Sequence, residues 1–137
     1  MNIAIVGATG NVGRKILEVL EKKELAVDNL YLLASSRSAG SKINFNGNEH
    51  EVIDLETFDF SKVKITFFAA GGKISENFAE IAAKHSLVID NSSFYRMDPD
   101  VPLIVPQVNS DHLHKIKKNI IANPNCSTAQ LVIALKP

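Results

Sequence analysis

Short unbroken apolar runs alternate along this chain with longer stretches whose apolar residues recur every three or four positions. Residues 2–6 (Asn2-Ile3-Ala4-Ile5-Val6) form the first run, the pattern of a strand buried in a parallel sheet. Residues 11–23 carry Val12, Ile16, Val19 and Leu20 among lysines and glutamates, which predicts a helix with those four side chains inward. Residues 30–34 predict a second strand. Residues 42–45 and 50–54 flank Asn46-Gly47, a pair that favours a type I′ hairpin turn. Residues 63–70 read as a further buried strand, 75–84 as a helix with Phe78, Ile81 and Ala82 inward, and 87–90 as another strand. A polar stretch over 91–102 leads to a short extended piece between prolines, 103–106. Residues 110–118 predict a capped helix carrying Leu113 and Ile116, 119–122 a last strand and 127–135 a last helix.

Such alternation predicts one α/β domain, a Rossmann-type doubly wound, mostly parallel sheet with helices on both faces. The expected domain covers residues 1–137, with the hairpin as an insertion after the second strand. At 137 residues, 45% hydrophobic and 22% charged, the chain can bury a core without a disulfide or metal staple. Lys plus Arg equals Asp plus Glu at 15 each, so there is no electrostatic footprint for nucleic acid or an anionic membrane. No apolar run approaches the ~20 residues of a membrane span. Nothing at the start resembles a targeting peptide, and one cysteine suits a reducing compartment, so the cytoplasm is the expected location.

Gly7, Gly10 and Gly13 follow the first strand with the spacing G-x-x-G-x-x-G and open the first helix. Glycine permits the tight turn, lets backbone N–H groups approach a pyrophosphate, and allows the helix to pack close to the strand. The helix dipole beginning near Asn11 favours the same anion. Dinucleotide binding is the expectation. An NAD site would place an acid near the end of the second strand. Here the loop reads Ser35-Ser36-Arg37-Ser38, without an acid. Arg37 can fork onto a 2′-phosphate, with Ser36 and Ser38 as hydroxyl donors, so the expected cofactor is NADP. Gly72 would let its ribose lie close to the backbone.

Cys126 stands between the last strand and the last helix, at the edge of the sheet where ligands bind. Helix N-termini stabilise thiolates, and the thiolate is the nucleophile. Asn125 and Ser127 offer donors to a charged intermediate. A nucleophilic thiol beside a nicotinamide suggests aldehyde oxidation through a thioester, whose acyl acceptor could be water, phosphate or another thiol. Asn91-Ser92-Ser93-Phe94-Tyr95-Arg96 puts hydroxyls and a guanidinium at the same edge, which favours phosphate. The competing reading pairs Arg96 with Asp98 or Asp100. None of His50, His85, His112 and His114 is expected to act as a catalytic base, and no metal is expected.

Together these segments resemble aspartate-β-semialdehyde dehydrogenases. The resemblance rests on Gly7-Ala8-Thr9-Gly10-Asn11-Val12-Gly13, Ala34-Ser35-Ser36-Arg37-Ser38-Ala39-Gly40 and Asp90-Asn91-Ser92-Ser93. The most specific parts are Arg96-Met97-Asp98-Pro99-Asp100-Val101-Pro102-Leu103, Val105-Pro106-Gln107-Val108-Asn109 and Asn123-Pro124-Asn125-Cys126-Ser127-Thr128. The resemblance implies reductive dephosphorylation of L-aspartyl-4-phosphate by NADPH, on the route to lysine (through diaminopimelate), threonine, methionine and isoleucine. It implies Cys126 as nucleophile, Arg96 and Asn125 as phosphate ligands, and Thr9, Gly10, Asn11 and Val12 with Ser36, Arg37 and Ser38 around NADP. It also implies a homodimer and a second domain after the cysteine helix, which supplies the acid/base histidine. This chain stops before such a domain, so the expectation is cofactor binding without turnover.

Two other proteins share parts of this pattern. The related reductase of N-acetylglutamyl phosphate sets its cysteine in Gly-Cys-Tyr-Pro-Thr, unlike the Asn-Pro-Asn-Cys-Ser-Thr found here. A stand-alone NADP-binding module without catalysis would share the glycine loop.

Overall fold

The computed structural model describes residues 1–23 and 25–136, so Glu24 and Pro137 of the expected domain lie outside it. The apolar runs become strands β1 (Asn2–Val6), β2 (Asn29–Ala34), β3 (Lys42–Phe45), β4 (Asn48–Asp54), β5 (Ile65–Phe68), β6 (Leu87–Asp90) and β7 (Ile120–Ala122). The helices are α1 (Asn11–Lys22), α2 (Gly72–Ala83), the four-residue α3 (Pro106–Asn109) and α4 (Cys126–Leu135).

The strands form one seven-stranded sheet in the order β3-β4-β2-β1-β5-β6-β7. All neighbours are parallel except β3 and β4. From β1 the chain winds through α1 to β2 on one side, then returns to place β5 on the other. That reversal opens a crevice at the carboxyl edge of the sheet. The fold is the Rossmann-type arrangement the alternation predicts.

Asn46 and Gly47 both take positive φ, 50° and 78°, as a type I′ turn requires. The hairpin is more than an insertion. Its second strand, β4, runs parallel to β2 and pairs Leu32 with Val52 and Ala34 with Asp54.

Two apolar layers cover the sheet. Leu17 and Leu20 of α1 pack in one with Ile3, Ile5, Leu32 and Val52. Ala79 and Ala82 of α2 pack in the other with Ala4, Val6, Phe68 and Val88. Full burial of a leucine contributes about 2 kcal/mol, so the two leucines of α1 anchor that helix. Ile16 and Leu20 of α1, and Phe78 and Ala82 of α2, face inward as expected, but each helix is turned partly away from the rest of its expected face. Val12 and Val19 are exposed and Leu17 is buried, because Gly13 draws its own side of α1 onto the end of β1. Ile81 is exposed while Ala79 and Ala82 are fully buried, since small side chains let α2 lie close to the strands. On the α1 side, Phe67, Ile89 and Ile121 remain only half-buried.

The helix expected over 110–118 is instead α3 followed by a 3-10 turn over Ser110–Lys115, and neither buries a residue. Pro106 at the first helical positions starts the segment early. Asn109 does not cap. Its Oδ1 accepts from the Val105 N–H at 2.8 Å and its Nδ2 donates to the Leu103 carbonyl at 2.9 Å. The expected strand over 63–70 is trimmed at both ends, and Ala69 and Ala70 turn away to line the crevice.

A β-carbon on Gly13 would stand 2.2 Å from the Gly7 carbonyl oxygen, whereas one on Gly10 would stand 3.4 Å from it. Gly13→Ala is expected to lose about 3 kcal/mol of unfolding free energy in urea titrations. Gly10→Ala is expected to stay within about 1 kcal/mol of the parent. Equal stability of the two variants would contradict this packing.

Candidate functional site

At the end of β1 the chain turns at Gly7 with φ 84°. A β-carbon there would meet the Ala69 backbone at 2.9 Å, so glycine is required by both conformation and space. The Gly7 and Ala8 N–H groups donate to the Leu33 carbonyl at 2.8 and 3.1 Å, tying the turn to β2. The Gly10 N–H donates back to the Gly7 carbonyl at 3.0 Å. No side chain caps α1, and Gly10, Asn11 and Val12 are exposed at its start. Those first-turn amides are presented to an anion. Arg14 adds a bond from Nε to the Thr9 carbonyl at 3.2 Å, so a cation braces the loop. The sequence reading missed it, although a basic residue in a first helical turn opposes the dipole and is itself a signal.

The loop forms one wall of a cleft of about 400 Å³ whose other boundaries include Ser35, Leu55, Ile74 and Phe78. A second helix, α2, begins at Gly72 beside this cleft, again without a side-chain cap. A β-carbon on Gly72 would be 3.8 Å from Ser93 Oγ. The cradle of backbone amides, closed to any side chain at Gly7 and Gly13, fits a pyrophosphate.

Ser36 and Arg37 are exposed beyond β2, and Ser38 is half-buried. Arg37 forms no ion pair among the described residues. Two acids absent from the sequence reading line the cleft, Asp54 and Glu56. Pairing of Ala34 with Asp54 sets that acid level with the end of β2, a proximity visible only once β4 is known to join the sheet. Asp54 Oδ1 accepts from the Glu56 N–H at 3.1 Å and so caps the following turn.

The neighbouring strand ends carry the second half of the site. Asp90 is fully buried and accepts from Ser75 Oγ at 2.8 Å, the Ser92 N–H at 3.0 Å and Ser92 Oγ at 2.7 Å. A carboxylate out of water is tolerated only with such partners. It locks α2 to the loop after β6. The Ser92 hydroxyl is thus committed inward and does not join the anion-gripping set expected of Ser92 and Ser93.

Arg96 reaches across the loop ends. Its Nε donates to the Asn123 carbonyl and its Nη2 to the Asn91 carbonyl, both at 3.0 Å. The reading that pairs it with Asp98 or Asp100 does not hold, because those acids bind Lys118 at 2.9 Å and Lys117 at 2.7 Å. Among the described residues no carboxylate pairs with Arg96. Cys126 begins α4 and is exposed, and Asn125 Oδ1 caps that helix by accepting from the Ser127 N–H at 2.9 Å. The cap uses the Asn125 oxygen and leaves its amide nitrogen available. Tyr95, beside Arg96 in sequence, is buried, and desolvation with nearby Glu80 and Asp90 pushes its phenol up to about 12. It stays protonated at neutral pH.

Among the histidines, His50 packs edge-on to Phe45, and His112 lies 3.9 Å from Asp111. Among the described residues no three His, Cys, Asp or Glu side chains are grouped to hold a metal, and no helix is long and apolar enough to cross a membrane.

Fold and cradle define a dinucleotide-binding domain. The chain belongs to the semialdehyde dehydrogenase family: the model described as "Semialdehyde dehydrogenase, NAD binding domain" matches residues 2–116. An aspartate-semialdehyde dehydrogenase from Shewanella violacea is 49% identical over 99% of this chain and 41% of its own. A crystal structure of aspartate semialdehyde dehydrogenase II from Vibrio cholerae, complexed with ASA, superposes with a TM-score of 0.96 at 52% identity, over 99% of this chain and 45% of that one. The enzyme from Candida albicans, solved with NADP, superposes with a TM-score of 0.80 at 29% identity, over 100% of this chain and 46% of its own. The chain thus spans about two-fifths of the length of the curated relatives it matches.

The Lys118 ammonium beside Asp98, with the Asp100 N–H bonded to the same carboxylate, holds the Asp98 carboxyl below its ordinary range. A depressed folded-state pKa gives stability that is present above the unfolded value of about 3.9 and is lost as pH falls towards the folded one. Asp98→Asn is therefore expected to shallow the acid limb of a stability–pH curve below about pH 4. An unchanged acid limb would remove Asp98 from the forces holding the Arg96 loop.

Proposed function

We propose that residues 1–137 are the NADP-binding part of an aspartate-semialdehyde dehydrogenase and carry its nucleophile. The observation that supports this best is the pairing of Arg96 with the Asn123 carbonyl, in the loop that ends on Cys126 at the start of α4. A cation with no carboxylate partner among the described residues and a thiol then share the carboxyl edge that holds the dinucleotide cradle. The relatives' shared name supplies the substrate class.

In this reading the pyrophosphate lies on the first turn of α1 beside Thr9, Gly10, Asn11 and Val12, Gly7 and Gly13 let the chain close up there without side chains, and Ser36, Arg37 and Ser38 hold the 2′-phosphate. Gly72 leaves room for the ribose. Arg96 and the Asn125 amide bind the acyl phosphate. The Cys126 thiolate attacks the acyl carbon, the carbon–oxygen bond to phosphate breaks, and inorganic phosphate leaves on Arg96. Bound NADPH supplies the hydride that reduces the resulting thioester. The carbon–sulfur bond then breaks, releasing L-aspartate 4-semialdehyde and the thiolate. None of the four histidines of this chain is assigned the acid/base role, which the family resemblance gives to a second domain. The whole enzyme is read as a cytoplasmic homodimer.

Fluorescence titration of the 137-residue chain should show NADPH binding more tightly than NADH. Arg37→Ala should weaken NADPH by more than about tenfold and leave NADH unchanged, the loss of one charge-assisted fork. Tighter or equal NADH binding by the parent chain would defeat the NADP assignment. Aspartyl phosphate is not expected to be turned over by this chain alone.

A further inference from the structure

Two asparagines sit immediately beyond the neighbouring strands β6 and β7. Asn123 Nδ2 donates to Asn91 Oδ1 at 2.7 Å, joining the two strand ends through side chains alone. Each end is also fixed by its backbone. The Asn91 N–H donates to the Phe68 carbonyl at 2.9 Å, and the Asn123 N–H donates to the Asp90 carbonyl at 2.8 Å. Asn91 Nδ2 reaches the same Phe68 carbonyl at 3.3 Å, which orients its amide so that the oxygen faces Asn123. The carbonyls of these same two residues receive the Arg96 guanidinium.

We infer that Asn91 and Asn123 are positioning residues for the anion site: their side-chain bond sets the spacing of the two carbonyls that aim Arg96 toward the Cys126 loop. The inference rests on the proposed role of Arg96. The chemistry suits amides. The bond needs an acceptor at 91 and a donor at 123, and two neutral groups provide both without placing a carboxylate beside the guanidinium. An aspartate at either place would compensate the charge that a phosphate must meet. Arg96 gives Nε and Nη2 to the carbonyls, and Nη1 makes no hydrogen bond among the described residues. Pro124, buried between Asn123 and Asn125, carries the same registration on to the cysteine through a backbone with fixed φ.

The test compares alkylation of Cys126 by anionic iodoacetate and neutral iodoacetamide in the 137-residue chain. A guanidinium held toward the thiol raises the rate ratio of anionic to neutral reagent, and a purely structural tie does not. Arg96→Ala, Asn91→Ala, Asn123→Ala and the Asn91→Ala/Asn123→Ala double variant are each expected to lower that ratio by about threefold or more. The double variant should match the single ones in this ratio, since all three remove the Asn91–Asn123 bond. NADPH affinity should stay near the parent value, and any change in the thiolate fraction cancels in the ratio. If either single asparagine variant does not fold, the other removes the same bond. A reduced ratio for Arg96→Ala with unchanged ratios for the asparagine variants overturns the inference and leaves the role of Arg96 intact. A parallel loss of NADPH affinity in the asparagine variants also overturns it, as general loosening of the strand ends. An unchanged ratio for Arg96→Ala defeats the role of Arg96 itself, and the inference with it.

Discussion

Between Gly7 and Gly13 the chain comes so close to itself that no β-carbon fits, and this contact decides where α1 begins. It draws the first turn of the helix onto the end of β1 and leaves its amides uncapped beside the cleft. It also fixes which side of α1 faces the sheet. Leu17 and Leu20 are buried and Val12 is not, because the rotation is set at Gly13 rather than by the apolar pattern alone. One steric constraint thus shapes both the anion cradle and the first apolar layer.

The far side of the switch point is organised by a buried charge. Asp90 has its hydrogen bonds supplied by Ser75 and Ser92, one from a helix and the other from a loop. Breaking one partner would strand a carboxylate in the interior, which costs several kcal/mol. The loop that begins there passes through Arg96 and returns to the start of β7 through the ion pairs of Asp98 and Asp100 with Lys118 and Lys117. Exposed pairs of this kind add little energy each, but two at neighbouring positions define a register for the loop.

Much of this was legible in the sequence. Short apolar runs mark β1, β2, β5, β6 and β7, whereas the largely polar β4 joins the parallel sheet without such a run, and Asn46-Gly47 marks its turn because few residue pairs accept two positive φ values. Helix orientation was less legible, since Ala79 and Ala82 face the sheet by being small, while Ile81 looks inward on a hydrophobicity scale and is exposed. The segment 110–118 has too narrow an apolar stripe to be buried, and Asn109 just before it bonds backward to residues 103 and 105. Site residues that act by reaching across strands were the least visible. Asp54 enters the cleft through strand pairing, and Asn91 meets Asn123 across 32 positions. Residue type signals chemistry, but nothing local in a sequence announces a partner that distant.

The central strand takes its two neighbours from very different stretches of chain. Ile5 pairs with Leu32 on one side and with Phe67 on the other. As the polypeptide is made from its N-terminus, β1, α1 and β2 can close on each other before β5 exists. The Ala69 N–H that bonds the Val6 carbonyl at 2.8 Å, and the Ala69 backbone that fills the space beside Gly7, arrive only later. Such non-local parallel pairing is slow to form. The glycine turn is therefore written early in the chain but finished late, and its final shape is a record that the second half of the sheet has folded.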